Sequence, residues 1–459
     1  IILLFFFSLL FCCQAKLIEG KQRSAVPRQM PQFVDLNQPH KIPPNDRWNL
    51  YFYWLDLYKQ KLRKRLEALN KEFREVYKTY EELRDVEDTK SMKNALVVGI
   101  TTTGAARLRS SLQALKSPIV IVEEAAEVLE AHIVSSLTKN CKHLILIGDH
   151  QQLKPSTANY SVEKFYKLGI SLFERMVINK IQLYTLNVQH RMRPEISSLI
   201  SPTIYPALED HSSVNDRPSI KGLDNCLFFI NHTHKEAECE GTSKKNFHEA
   251  SFLIQFAKHL VLNGYKPENI TILAAYLGQM FEMQKEKKKH KHVLGDMRIA
   301  VLDNYQGEEC DIILLSLVRS NSENRIGFLS IENRVSVALS RARNGFYIMG
   351  NMDQLCAASQ VRGQYCLNSD TQIFFQLWQK IRRTLEQQNA IGSELKLRCQ
   401  VHTDKITYVQ KGEDFLQIPE GGCDQKCGAD LSCGHKCTSL CHIADRDHNN
   451  YRCREVCNK

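Results

Sequence analysis

The sequence predicts an α/β protein whose parallel sheets are covered by helices, with one long helix ahead of them and a small metal-binding module behind. Short apolar runs at 119–122, 144–147, 226–230, 270–275, 299–302, 312–317 and 346–349 alternate with helix-like stretches such as 250–262. That alternation is the pattern of strands joined by helical crossovers. Upstream, Leu62, Leu66, Leu69, Phe73, Val76, Tyr80 and Leu83 alternate spacings of four and three, which is a heptad seam. Downstream, eight cysteines lie between Cys399 and Cys457 with histidines among them, a composition that reads as metal ligands rather than a disulfide framework in so large a chain.

At 459 residues the chain has room for two or three domains, and 43% apolar with 24% charged residues is ordinary globular composition. A formal charge of +10 permits nucleic-acid binding without requiring it. Residues 1–13 are almost wholly apolar and too short for an ordinary membrane span. They lack the basic start of a signal peptide, so residues 1–15 are read as an apolar leader outside the fold, and the missing initiator Met as the mark of a fragment. Residues 16–46 carry five prolines and read as a linker, and the helical segment is expected over 47–90.

The first strand is expected at 94–100, followed by Thr101, Thr102 and Thr103. Gly99 and Gly104 have half of the phosphate-loop spacing, but Ala105, Ala106 and Arg107 follow, and GxxxxGK[ST] occurs nowhere in these 459 residues. Two runs then end in carboxylates: 119–122 delivers Glu123 and Glu124, and 144–147 delivers Asp149 after Gly148. If both strands are buried in a parallel sheet, these acids meet in the crevice beyond its carboxyl edge, where a nucleotide and its magnesium lie. Gln152, in GDHQQLKP, is placed to orient water or touch a terminal phosphate. A further strand is expected at 183–186, a polar junction at 206–222, and a basic loop at 285–292.

VEEAAE, GDHQQLKP, VQHRMRPEI, DNYQGEECDIILLSLVRS and VALSRARNG, in this order over residues 122–345, resemble motifs II to VI of the superfamily 1 helicases of the up-frameshift type. The resemblance implies two RecA-like P-loop NTPase lobes, at 91–205 and 206–352, with 47–90 as an inserted helical stalk. The phosphate loop would lie upstream of the stalk. It implies ATP and Mg2+ as ligands. It makes Glu124 the general base and Glu123 the magnesium-side carboxylate, one methylene longer than the usual Asp. Arg191 and Arg341 become the arginines facing the γ-phosphate. Asp149, Gln189, Tyr276, Gln306, Gly307, Glu308 and Arg343 are implied at the nucleotide, and Thr101, Thr102 and Thr103 at the nucleic-acid backbone.

After a helical linker at 353–394, with Phe374, Phe375, Leu377 and Trp378 as its packing face, the tail 395–459 offers twelve ligands: Cys399, His402, Cys423, Cys427, Cys433, His435, Cys437, Cys441, His442, His448, Cys453 and Cys457. Four per tetrahedral Zn2+ allows two or three sites, with the pairing left open. CGHKCTSLCH resembles the NFX-type zinc finger, and a helicase core followed by it resembles the helicase-like proteins that carry such fingers. The resemblance implies an ATP-dependent RNA helicase acting on single-stranded RNA in surveillance, small-RNA silencing or antiviral defence. Silencing or decay factors would be its partners, in the cytoplasm or nucleus and not at a membrane. Two rival expectations stand beside it: an ATP-independent RNA clamp, and a RING-like ubiquitin ligase module in the tail.

Overall fold

The computed structural model describes residues 41–157, 160–239, 243–362, 377–449, 451, 453 and 455. The leader, most of the linker, Phe374, Phe375 and Cys457 lie outside these. No helix among the described residues is long and apolar enough to cross a membrane. The chain divides into two compact units between Lys116 and Ser117.

In the first unit, α1 (Pro44–Lys93) is 50 residues long, with Pro44 at its first turn and Lys90 and Lys93 at its last. Both placements suit a helix, proline because its missing N–H is an orphan there, lysine because it opposes the negative end of the helix dipole. The heptad residues from Leu62 to Leu83 are 46–70% exposed, so the seam lies unpaired among the described residues. Short α2 (Thr102–Arg107) and α3 (Arg109–Leu115) follow, and Ser110 Oγ ties α3 to Asp85 of α1 at 2.7 Å. The strand expected at 94–100 does not form, and Leu96 and Val97 are exposed. A strand needs a neighbour for its backbone groups, and this unit offers none among the described residues.

The second unit opens with a two-stranded parallel sheet, β1 (Ile119–Val122) beside β2 (His143–Leu146). Between them comes α4 (Glu130–Ser136), and after them α5 (Leu172–Ile178). These strands were expected to be buried, yet Ile119 and Ile121 are more than half exposed. Among the described residues of this unit, the pair is covered on one face, by a small cluster of Ala125, Ala126, Ile133, Leu172 and Phe173. Residues 183–186 form no strand; a short parallel pair, β3 (Val188–Gln189) with β4 (Glu209–Asp210), forms instead.

A six-stranded, wholly parallel sheet forms the larger part. Its strands are β5 (Leu227–Asn231), β6 (Ile270–Ala274), β7 (Arg298–Val301), β8 (Cys310–Ser316), β9 (Ala342–Gly350) and β10 (Ile391–Gly392), in the spatial order β10-β5-β9-β8-β6-β7. The crossover helices are α6 (Phe247–Leu262), α7 (Leu277–Lys288), α8 (Glu332–Leu339), α9 (Met352–Arg362) and α10 (Leu377–Gln387). Alternate residues serve opposite faces. Phe229, Ile313, Leu315 and Phe346 join a core with Met192, Ile196, Leu199 and Trp378. Phe228, Ile312, Leu314 and Tyr347 join another with Phe252, Phe256 and Leu260 of α6. Because both faces are covered, the strands read as unbroken apolar runs. The basic stretch at 285–292, expected as a loop, begins as the last turn of α7, with Lys285, Lys287 and Lys288 at its dipole-favoured end.

The tail adds two hairpins, β11 (Leu395–Arg398) with β12 (Ile406–Val409), and β13 (Gly421–Lys426) with β14 (Leu440–His442). Leu395, Leu397, Val409, Phe415 and Ile418 belong to the same core as α6.

Candidate functional site

The carboxyl end of β1 turns sharply. Glu124 takes the left-handed conformation at φ +49°, and Ala125 N–H donates to Ile147 O at 2.8 Å. Gly148 makes that closure feasible, since a Cβ there would lie 2.9 Å from Ala126 N. The turn leaves Glu123 and Glu124 exposed. Gln306 Nε2, from the loop after β7, donates to Glu124 Oε2 at 3.1 Å, while its own Oε1 is buried without a partner. Gly307 stands at φ +75°, where a Cβ would lie 3.6 Å from Glu124 Oε1.

Beyond β2, Asp149 accepts from Gln152 Nε2 at 2.9 Å and from Tyr205 Oη at 2.6 Å. Gln152 is thereby oriented so that its Oε1 accepts from Arg341 Nη2 at 2.9 Å. Arg341 stands just before β9 and is 1% exposed. Three further N–H groups donate to Val337 O, Glu308 O and Ser340 Oγ. Burial, reinforced by the neighbouring Arg191, pushes its pKa down to about 10, so it stays cationic at neutral pH. Arg191 bonds Glu309 Oε2 at 2.5 Å and Ser340 O at 3.0 Å. Burial raises the Glu127 carboxyl, and Glu124 and Asp303 add to the shift. The Tyr205 hydroxyl is likewise raised, by burial and then by Asp149.

Glu124, Asp149, Gln152, Arg191, Gln306, Gly307 and Arg341 thus come together. Others are engaged elsewhere. Gln189 spends its amide on Met192 O, Asp210 and the N–H groups of Arg191 and Met192, which shapes its own turn. Glu308 is paired with Arg298. Arg343 pairs with Asp311 at 3.0 Å and Glu309 at 3.5 Å.

Tyr276 does not join the group. It follows the carboxyl end of β6, whereas Arg341 precedes the amino end of β9, and in a parallel sheet these are opposite edges. Its hydroxyl meets Arg319 Nη1 at 3.2 Å and Phe328 N at 3.3 Å. Thr101 caps α2 by accepting from Gly104 N at 3.1 Å, and Thr102 and Thr103 form that helix's first turn. They belong to the first unit. Sequence reading passed over Tyr205, Ser336 and Asn333. Ser336 meets Tyr205 Oη at 3.0 Å, and Asn333 Nδ2 donates to His150 O at 3.0 Å. Only the fold brings these near position 149; no local signal marks them. The group of oxygen donors around two guanidiniums suits a magnesium nucleotide, since hard cations take carboxylate oxygens and guanidinium matches phosphate.

The tail's ligands gather in three sets: Cys399, His402, Cys423 and Cys441; Cys427, Cys437, His442 and His448; Cys433, His435 and Cys453. Cys399 Sγ lies 3.7 Å from Cys441 Sγ, and Cys423 Sγ 3.2 Å from His402 Nδ1. Such a sulfur separation is far beyond a disulfide and close to the roughly 3.8 Å that two thiolates at about 2.3 Å from a tetrahedral zinc would show. The residues therefore fit zinc. When bound it would supply the charge that holds these thiolates together.

AAA-domain family models match residues 53–159 and 168–353, together more than half of the chain. NFX1-type zinc finger-containing protein 1 of Mus musculus is 46% identical over 416 residues, covering 90% of this chain and 21% of that protein. The Homo sapiens protein of the same name matches with the same identity and coverage. The helicase required for RNAi-mediated heterochromatin assembly 1 of Schizosaccharomyces pombe is 37% identical over 69% of this chain and 32% of its own length. The chain spans about a fifth of the length of the NFX1-type relatives.

Proposed function

We propose, for a chain that belongs to the family of up-frameshift-type superfamily 1 helicases carrying NFX1-type zinc fingers, that it is the part of an RNA-directed, ATP-hydrolysing motor in which water, magnesium and arginine chemistry reside. The observation that carries this reading is the buried Arg341, whose guanidinium reaches from the start of β9 to Gln152 behind β2. A desolvated cation aimed past a water-orienting amide, with carboxylates at the ends of two strands, is an arrangement for phosphoryl transfer to water.

Magnesium, when bound, supplies neutralising charge at the phosphates. Glu123 and Asp149 offer it oxygens, directly or through water. Glu124 accepts the proton of the attacking water, held at its place by Gln306 and the close approach of Gly307. Gln152, fixed by Asp149, orients that water, and Arg341 with Arg191 stabilises the charge that develops on phosphate oxygens. Gln189, Glu308 and Arg343 serve by holding the surrounding loops. Tyr276, at the opposite sheet edge, is left out of the nucleotide assignment. Thr101, Thr102 and Thr103 contact the nucleic-acid backbone.

RNA as the substrate is supported by relatives whose names speak of RNAi and nonsense transcripts. A role in surveillance, silencing or defence, with partners from those processes, in the cytoplasm or nucleus, goes with it. In the full-length protein, Glu124→Gln should lower RNA-stimulated phosphate release by roughly 10²–10⁴-fold. Unchanged release would overturn the hydrolytic reading. The RNA clamp would then lead, a reading favoured by Glu123 standing where the family has Asp.

A further inference from the structure

The three ligand sets are interleaved along the chain and ordered in space along one hairpin. Cys423 and Cys441 sit where β13 and β14 begin to pair, beside the Gly421–His442 register. Farther out, Cys427 N–H donates to Ser439 O and Cys437 N–H to Ala429 O, which places the two cysteines of the second set at the next step. Cys433 and His435 occupy the tip, where Gly434 N–H closes on Leu431 O. The first set therefore lies at the root, and among the three sets it alone recruits ligands from upstream of the hairpin, Cys399 and His402 of the β11–β12 turn.

That root is built onto the second lobe. Asn263, the C-cap of α6, is 1% exposed. Its Nδ2 donates to Gly421 O at 3.1 Å, and its Oδ1 accepts from Gln400 Nε2 at 2.6 Å. One side chain thus bridges the strand carrying Cys423 and the turn carrying Cys399. Gly421, at φ +80°, passes so close to α6 that a Cβ would lie 2.8 Å from Leu262 Cβ. Arg398 N–H donates to Gly222 O at 3.0 Å, which ties the other edge. Leu395, Leu397, Phe415 and Ile418 on one side of the root belong to the α6 core, while around the ligands themselves a separate small cluster consists of Cys399, Cys423, Cys441 and the flanking Val401. In that cluster the ligands are themselves the core, so what holds them together holds the β13–β14 hairpin to the root.

We propose that a zinc ion bound by Cys399, His402, Cys423 and Cys441 fastens the tail to the C-terminal end of α6 and is a structural member of the second helicase lobe, whereas ions in the outer two sets fold only the hairpin and the segment that follows it. The proposal rests on the zinc reading and is independent of the nucleotide chemistry.

Hydrogen exchange and bound-zinc content of the whole chain test it together. Cys399→Ser should lose one zinc and speed amide exchange over residues 256–262 of α6 about tenfold or more. Cys433→Ser should lose one zinc and leave those amides as they were. Equal protection of α6 in both variants, or equal loss in both, would overturn the fastener, and absence of zinc from the unmutated chain would instead overturn the zinc reading. Should Cys399→Ser not fold, stepwise chelation of the unmutated chain decides. The three cysteines of the first set are 1–3% exposed while the tip set is more open, so α6 protection should persist until the last ion leaves. Protection lost with the first ion, or kept after all have gone, would refute the proposal.

Discussion

Arg341 has almost no solvent to fall back on, and four of its five N–H donors are met by protein, one on Nη1 being left over. Lysine at this position keeps the charge but cannot serve Val337 O, Glu308 O and Gln152 at once. Arg341→Lys should therefore cost about 2–4 kcal/mol, read from urea unfolding of the second unit. Gly148→Ala should cost about 1–3 kcal/mol by the same measurement, because its Cβ would press on backbone nitrogens 2.9 and 3.1 Å away rather than on a yielding side chain. Much of this neighbourhood was legible in the sequence: an apolar run ending in Glu-Glu, another ending in Gly-Asp, and arginines in recognisable motifs. Tyr205 was not, since only tertiary folding carries it to Asp149. Tyr276 was misplaced although the clue was present: a residue that follows its strand and one that precedes its strand stand at opposite edges of a parallel sheet.

Helix α6 is the element on which the six-stranded sheet and the tail converge. Glu249, fully buried near its start, accepts from Val318 N–H and Ser316 Oγ at the ends of β8, while Asn263 at its end carries the tail. Between them His259 is 3% exposed, and burial pushes its pKa down to about 4. The unfolded chain takes up this proton below about 6.5, the folded one only below about 4, so acid favours unfolding across that window. The unfolding free energy read from urea should fall as pH drops from 6.5 to 4, with His259 contributing about 3 kcal/mol of the fall, and His259→Gln should lessen it, with bound zinc followed in parallel to separate ligand protonation. At this scale the parallel strands of the second lobe were readable because two buried faces leave unbroken apolar runs. The runs at 94–100 and 183–186 had the same composition without a neighbour to pair with, and composition alone does not supply one. The pairing of zinc ligands was equally hidden, for it depends on which residues face each other across β13 and β14.

Across the whole chain the charge is +10, and under the proposed RNA-directed role the logarithm of RNA affinity should fall linearly with log salt, with a slope of about −0.7 for each phosphate neutralised. Thr103→Ala should weaken binding about equally for different RNA sequences, measured by titration at fixed salt. Thr101→Ala should also cost α2 its cap, on the order of 1 kcal/mol, so helix stability separates the two effects. One feature of the nucleotide group bears on how such a protein could change over generations. The backbone at position 124 adopts a conformation that suits glycine, at φ +49°, and a carboxylate residue holds it at a cost of roughly 1 kcal/mol. Glu124→Gly should raise the unfolding midpoint while removing the proton acceptor. A library bred only for heat resistance would drift toward glycine there, and under the proposed hydrolytic role its hardiest descendants would be those that had stopped turning over nucleotide.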